Sequence, residues 1–87
     1  MSVTERLKSS TSDFVVFSSN LCMYCHKAKD LLSSKGLSFD EHNVGNEPGL
    51  QDEVIEMTGH KTVPAIWDVR GDDPVFVGGF DNLEASL

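Results

Sequence analysis

The sequence predicts an α/β domain in which a four-stranded mixed sheet is flanked by helices, in the order β-α-β-α-β-β-α. Three observations favour this class: a continuous apolar run at residues 14–17, a helix-like run behind the cysteine pair at residues 22–25, and two short strand-like runs late in the chain. Strand-like and helix-like segments that alternate along a chain are typical of a sheet covered by helices. With 87 residues the chain has room for one hydrophobic core, so we predict a single domain over residues 1–87.

Residues 1–12 are polar and indicate either an extra short N-terminal helix or a frayed extension. Val3 and Leu7 lie one helical turn apart, and Ser2 and Glu5 have the spacing of a capping box. A terminal segment is ordered only when neighbouring elements hold it, so both alternatives stay open from the sequence.

The first strand, the helix after it and the second strand form one βαβ unit. Residues 14–17 are β-branched and aromatic, which favours a strand buried on both faces. Residues 24–35 repeat apolar side chains at helical spacing and end at Lys35 and Gly36, a basic last turn and a left-handed stop. Residues 37–44 predict a second strand, which the crossover places parallel to the first.

The next helix is predicted to begin at Asn46, as its cap, and to end at Gly59. Pro48 is tolerated in the first turn, where the helix N–H groups have no partner. Apolar residues at helical spacing predict which side of this helix is buried: Leu50, Val54 and Met57.

The last third of the chain predicts a hairpin. Residues 63–68 and 74–77 are rich in strand-forming side chains, and the polar residues 70–73 between them suit a turn. The two strands are therefore expected to pair with each other along the sheet.

Two glycines separate this hairpin from a short final helix. Gly78 and Gly79 break the strand, and Asp81 and Glu84 have the spacing of a capping box that opens a helix through Leu87. The side chains and free N–H groups of this turn either cap the helix only or also bind a small carboxylate.

The charge and hydropathy of the chain exclude several classes of partner. A formal net charge of −7 argues against nucleic acid, because phosphate binding needs clustered Lys and Arg. The acidity suits solubility, and the alternative is a preference for a basic protein partner. The sequence shows neither a run that could span a bilayer nor a signal-peptide pattern. We therefore expect a cytoplasmic protein with no nucleic-acid or membrane partner.

The two cysteines, Cys22 and Cys25, are the strongest chemical signal in the sequence. Their spacing is close to one helical turn, and a thiol at a helix start is favoured as the thiolate, which is the reactive form. A loop this short makes a poor structural staple, so the pair suits thiol–disulfide exchange, with Cys22 attacking and the more buried Cys25 resolving. Tyr24 would flank the attacking sulfur and restrict its access.

A zinc site is the competing interpretation of the cysteines. It would use both sulfurs with His26, His42 or His60, but the sequence lacks the second close pair of ligands that structural zinc sites use. Inert buried cysteines are a further alternative. We expect no metal.

Thr62-Val63-Pro64 precedes the third predicted strand. Pro64 cannot donate a ladder hydrogen bond, so it belongs at the first residue of the strand or in a special turn. A cis peptide would direct the Val63 backbone N–H and C=O outward, where an extended peptide could pair with them, whereas a trans proline would only start the strand. Beside the cysteine pair we favour the cis form.

Taken together, these motifs resemble the glutaredoxins over residues 14–87. The matching features are the cysteine pair with the helix behind it at 22–36, the Thr-Val-Pro segment at 62–64, and the double glycine with its successors at 78–83. The resemblance implies a thioredoxin-like fold and glutathione-dependent reduction of protein disulfides and glutathione mixed disulfides. The resemblance implies glutathione as the co-substrate and disulfide-bearing proteins as partners, and ribonucleotide reductase is a common client in the family. We expect the protein to be a monomer.

The resemblance also assigns roles to individual residues. It implies that Cys22 is the nucleophile and Cys25 the resolving thiol. It implies that Val63 pairs its backbone with the glutathione cysteine beside a cis Pro64, and that the residues after the double glycine receive the γ-glutamyl end. The glutathione-binding residues expected on this basis are Tyr24, Thr62, Val63, Pro64, Gly79, Phe80, Asp81 and Asn82.

Two departures from the family pattern suggest alternatives to this function. Ser19 stands where the family often has lysine, which removes a positive charge near the sulfur, so thioredoxin reductase is an alternative electron source. Met23 stands where the family usually has proline, and the looser loop suits a second alternative, a carrier of a [2Fe–2S] cluster bridged by Cys22 and glutathione.

Overall fold

The computed structural model describes all residues, Met1–Leu87, as four helices around a sheet of four strands. The elements in chain order are α1 (Val3–Ser9), β1 (Phe14–Ser18), α2 (Met23–Ser34), β2 (Phe39–Asn43), a 3-10 turn (Val44–Asn46), α3 (Leu50–Thr58), β3 (Ala65–Asp68), β4 (Val75–Gly78) and α4 (Phe80–Ser86). The predicted order of elements is confirmed, and residues 3–9 form the extra N-terminal helix. None of the helices is long and apolar enough to cross a membrane.

The sheet is mixed, with the strand order β2-β1-β3-β4. β1 runs parallel to β2 and antiparallel to β3, where Phe17 is opposite Ala65, and β3 pairs antiparallel with β4. Because β1 and β3 are antiparallel, the chain leaves β1 towards Cys22 at the same edge of the sheet where it enters β3 from Pro64. This topology brings two motifs about forty residues apart in the sequence to one edge.

The core has two halves, one on each face of the sheet, because successive strand residues point to opposite faces. On the side that we call the α1/α3 face, Val15 and Phe17 belong to a cluster with apolar residues of α1 and α3. On the α2/α4 face, Phe14 and Val16 belong to a cluster with residues of α2 and α4. All of β1 is buried, which confirms the expectation from its continuous apolar run.

Helix α3 begins later than predicted, at Leu50 instead of after Asn46. Gly49 takes a left-handed conformation (φ 85°) as its N-cap, which an L side chain rarely adopts, so the helix starts behind this glycine. Met57 is 47% exposed, so the predicted buried side is wrong at this position. Met57 lies in the last turn of α3, just before the confirmed stop at Gly59, and packing does not cover it there.

Helix α4 begins at Phe80, so the predicted capping box of Asp81 and Glu84 is wrong. Gly78 has a φ of 119°, which turns the chain out of β4 and makes Gly79 the N-cap. The Gly79 N–H then donates to Asn82 Oδ1 at 3.2 Å, and Asp81 lies in the first turn of the helix.

Helix α1 has the capping box expected from Ser2 and Glu5. The Ser2 hydroxyl accepts a hydrogen bond from the Glu5 N–H (3.1 Å), and the Glu5 carboxylate accepts one from the Ser2 N–H (2.9 Å). A seven-residue helix needs tertiary support, which buried Val3 and Leu7 supply.

Candidate active site

The two cysteines form a disulfide at the start of α2, so the structure shows the oxidised state. Cys22 is the N-cap, its Cα lies 5.2 Å from that of Cys25, and its Sγ accepts a hydrogen bond from the Cys25 N–H at 3.1 Å. Cys25 is 1% exposed, whereas Cys22 is partly exposed. The predicted placement at the helix start and the predicted difference in burial are both confirmed.

A polar network joins the strand and the helix on either side of the loop that leads to these cysteines. Ser18, buried at the end of β1, donates to a Glu41 carboxylate oxygen at 2.6 Å, and Lys29 of α2 donates to the same oxygen at 2.9 Å. The Ser18 hydrogen bond, and after it Lys29, hold the pKa of Glu41 below its usual range. Glu41 thereby links β1, β2 and α2 near the cysteine pair.

The Val63–Pro64 peptide bond is cis, as the sequence analysis favoured. Cys22 Sγ lies 3.6 Å from the Val63 carbonyl oxygen, so this part of the backbone adjoins the partly exposed sulfur. Val63 itself is partly exposed, while Pro64 is buried at the entry to β3.

An open groove of about 460 Å³ lies between α2, the segment before β3 and the start of α4. The structure brings all eight residues that were expected to bind glutathione to this groove, although they come from three separate segments of the chain. The residues that line it are Tyr24, His60, Thr62, Val63, Pro64, Gly79, Phe80, Asp81 and Asn82.

His60 is the one groove residue that the sequence patterns do not indicate as part of the glutathione site. It was considered only as a zinc ligand, yet it lies in the same loop as Thr62 and Pro64, and that proximity was the available signal. No three Cys, His, Asp or Glu side chains lie close enough together to hold a metal ion.

The rim of the site beside Cys22 is apolar and open. Leu21 is 100% exposed and Met23 is 72% exposed, which places two large apolar side chains in solvent next to the reactive sulfur. The Tyr24 ring lies 5.9 Å from the ring of Phe80, and the Lys27 ammonium lies 5.1 Å from the Tyr24 ring centroid. A partner that approaches Cys22 therefore meets an apolar surface, with the Lys27 ammonium next to the Tyr24 ring.

This fold and site define a thiol–disulfide oxidoreductase with a thioredoxin-like fold. One sulfur is partly exposed at a helix start, the second is buried one turn behind it, and a groove opens beside the first. The family model for Glutaredoxin matches residues 14–72. The chain therefore belongs to the glutaredoxin family.

Comparisons with individual proteins agree with this assignment. The chain is 40% identical over 70 residues to Glutaredoxin 3 of Escherichia coli, a match that covers 80% of each chain. It is also 40% identical over 63 residues to the glutaredoxin-like protein NrdH of Lactococcus lactis, covering 72% of this chain and 82% of that one. The crystal structure of a buckwheat glutaredoxin–glutathione complex shares the fold, with a TM-score of 0.79 and 23% identity over 94% of this chain and 74% of the other.

Proposed function

We propose that this oxidoreductase uses glutathione to reduce protein disulfides and glutathione mixed disulfides. The observation that carries the proposal is the groove beside Cys22, whose wall includes the Val63 backbone 3.6 Å from the sulfur. An extended tripeptide bound along that backbone would have its own sulfur next to Cys22. The buckwheat glutaredoxin, which has the same fold, was crystallised as a complex with glutathione, and this supports glutathione as the ligand.

The reaction starts from the reduced dithiol form of the protein. The Cys22 thiolate attacks the glutathione sulfur of a mixed disulfide, the old S–S bond breaks, and the client leaves as a thiolate that takes up a proton. Glutathione is now bonded to Cys22 through a disulfide. The thiolate of a second glutathione attacks the sulfur of the bound glutathione, forms oxidised glutathione and returns Cys22 as a thiolate.

Protein disulfides use both cysteines of the pair. Cys22 attacks one client sulfur, and Cys25 then attacks Cys22, which releases the reduced client and leaves the disulfide seen in this structure. Two glutathione molecules restore the dithiol and leave as oxidised glutathione. The Cys25 N–H, 3.1 Å from Cys22 Sγ, stabilises the negative charge on Cys22 in the steps where that sulfur attacks or leaves as a thiolate.

The groove residues would divide the binding of glutathione between them. Val63 pairs with the backbone of the glutathione cysteine, beside Thr62 and Pro64. The turn from Gly79 to Asn82 receives the γ-glutamyl end, where the exposed Asp81 carboxylate is suited to its ammonium group. Because one chain supplies the whole groove, we propose that the protein acts as a monomer; ribonucleotide reductase as a client and a cytoplasmic location stay predictions.

The experiment that tests this proposal compares two electron sources. A glutathionylated peptide is the substrate, and NADPH oxidation is followed with glutathione and glutathione reductase, or with thioredoxin reductase alone. We expect turnover that depends on the protein in the first assay. Turnover only in the second assay would contradict glutathione dependence.

Recharging by thioredoxin reductase is the second candidate function. Two observations favour it: Ser19 supplies no positive charge near the sulfur, and the glutaredoxin-like protein NrdH is as identical to this chain, at 40%, as Glutaredoxin 3 is. The two-source assay separates both candidates in one measurement.

A further inference from the structure

His60 connects the two turns that form the far wall of the groove. Its Nε2 lies 3.2 Å from the Pro64 carbonyl oxygen and 3.3 Å from the Thr62 hydroxyl. Its Cε1 lies 3.5 Å from the position that a Cβ would take on Gly79. The ring therefore bonds the segment before β3 on one side and faces Gly79, in the turn before α4, on the other.

The hydrogen-bonding partners of His60 fix which ring nitrogen carries a proton. A carbonyl oxygen only accepts, so the bond to Pro64 requires a proton on Nε2, and the Thr62 hydroxyl then serves as an acceptor as well. The backbone N–H of His60 donates to the Thr58 hydroxyl at 3.0 Å, and its ring meets the edge of Phe76 with centroids 5.6 Å apart. The side chain is held from several directions, so its contact with the groove wall is well defined.

We propose that His60 is a positioning residue for glutathione, one that sets the distance between the Val63–Pro64 segment and the Gly79–Asn82 turn. The inference rests on the proposed function, in which these two segments bind different parts of the tripeptide. Binding a ligand at two places requires that both are held at the right separation beforehand, since ordering them on binding costs affinity. His60 reaches between both segments, with a hydrogen bond to one and its ring facing Gly79 of the other.

The proposal separates ligand binding from sulfur chemistry. Besides the disulfide-bonded Cys25 Sγ, the groups next to Cys22 Sγ are the Cys25 N–H and the Val63 carbonyl, and His60 makes no hydrogen bond to that sulfur. Loss of the imidazole should therefore weaken binding of the glutathione moiety while the reactivity of Cys22 stays the same. Loss of one partly buried hydrogen bond, such as that between His60 and the Pro64 carbonyl, corresponds to about a five- to tenfold change in affinity.

The test uses His60→Ala, His60→Gln and the control His42→Ala. Glutamine keeps an N–H donor that could bond the Pro64 carbonyl. His42 is a second partly buried histidine with a ring hydrogen bond, but it does not line the groove. For each variant we would measure KM and kcat with a glutathionylated peptide, the rate at which iodoacetamide alkylates reduced Cys22, and the thermal unfolding temperature.

We expect His60→Ala to raise KM about five- to tenfold, with kcat and the alkylation rate within about twofold of wild type. His60→Gln should recover most of the loss, and His42→Ala should lower the unfolding temperature without raising KM. An unchanged KM in His60→Ala, or an equal rise in KM for His42→Ala, would overturn the role of His60. The proposed function would still stand in that case, provided that the wild type turns over. Absence of saturable turnover in the wild type would overturn both proposals.

Discussion

The two faces of the sheet carry different kinds of interaction. On the α2/α4 face, the loop before α2 and the start of that helix place Cys22 and the exposed apolar side chains Leu21 and Met23 beside an open groove. On the α1/α3 face, polar groups tie the outer elements together: Arg6 contacts His42 at 2.9 Å and also pairs with Glu47.

Further polar contacts strengthen the α1/α3 face. The Val3 N–H donates to a Glu53 carboxylate oxygen at 2.8 Å, which joins the first turn of α1 to α3. Both faces share β1, whose alternate residues enter the two core clusters. One strand thus supports both a face that carries the open groove and a face on which side-chain bonds join α1 to β2 and α3, while the Ser18–Glu41–Lys29 network holds α2 on the open side. Substitutions on the first should change activity, and those on the second should change stability.

The largest effect is expected at the cysteine pair. Cys22→Ser should abolish turnover of a glutathionylated peptide, because a serine hydroxyl is a poor nucleophile towards sulfur at neutral pH. Cys25→Ser should keep much of that turnover, since the second glutathione resolves the intermediate without Cys25. Turnover is measured by NADPH oxidation coupled to glutathione reductase, and equal loss in both variants would contradict the assigned roles.

A smaller effect is expected from Gly78→Ala. The φ of 119° at Gly78 is unfavourable for alanine, and a Cβ would lie 2.6 Å from Asn82 Oδ1, the atom that accepts the Gly79 N–H. We expect a loss of about 1–3 kcal/mol in the free energy of unfolding, from the strained backbone. KM for a glutathionylated peptide should also rise, because Gly79 and Asn82 line the groove.

Gly71→Ala is the matched control for this variant. Gly71 lies in the hairpin turn, and no atom lies within 4 Å of the position a Cβ would take there. Alanine at this position should therefore leave the free energy of unfolding and KM near their wild-type values. Urea unfolding and steady-state kinetics on the two variants make the comparison. If KM were the same in Gly78→Ala and Gly71→Ala, the turn before α4 would not shape the groove.

The sequence predicted the order of elements and the parts of the site with distinctive local chemistry. The apolar run before the cysteines, the capping box of Ser2 and Glu5, and the stop at Gly59 each depend on neighbouring residues only, and all three are confirmed. The starts of α3 and α4 were missed. Each is set by a glycine conformation, at Gly49 and Gly78, and sequence patterns indicate that a glycine permits such a turn but not that the chain uses it.

The groove was predicted only in part, for a related reason. The motifs at 22–25, 62–64 and 78–83 stand out in the sequence, and the topology of β1 and β3 brings the first two to one edge. His60 has no such motif. Its place in the wall depends on the bond to Pro64 and on facing Gly79, and Gly79 comes opposite the ring only once α4 has packed against the sheet.

The smallest expected effect tests the α1/α3 face through its dependence on pH. Arg6 Nη1 donates to His42 Nδ1 at 2.9 Å, so that nitrogen must be unprotonated, and a protonated ring would place two cations side by side. Burial lowers the pKa of His42, and the charge of Arg6 lowers it further, against the opposing effect of Asp40 and Glu47.

The unfolded chain therefore binds a proton at His42 at a higher pH than the folded chain does. Its contribution to stability is complete above about pH 6.5, the usual histidine pKa, and is lost as the pH falls through the lower pKa of the folded state. Because the ring is partly exposed, the loss should stay below about 1 kcal/mol. His42→Phe, which keeps an aromatic ring against Phe17, should remove this slope in urea unfolding just below pH 6.5. KM at neutral pH should not change, and a rise in KM would mean that the closed face also shapes the groove.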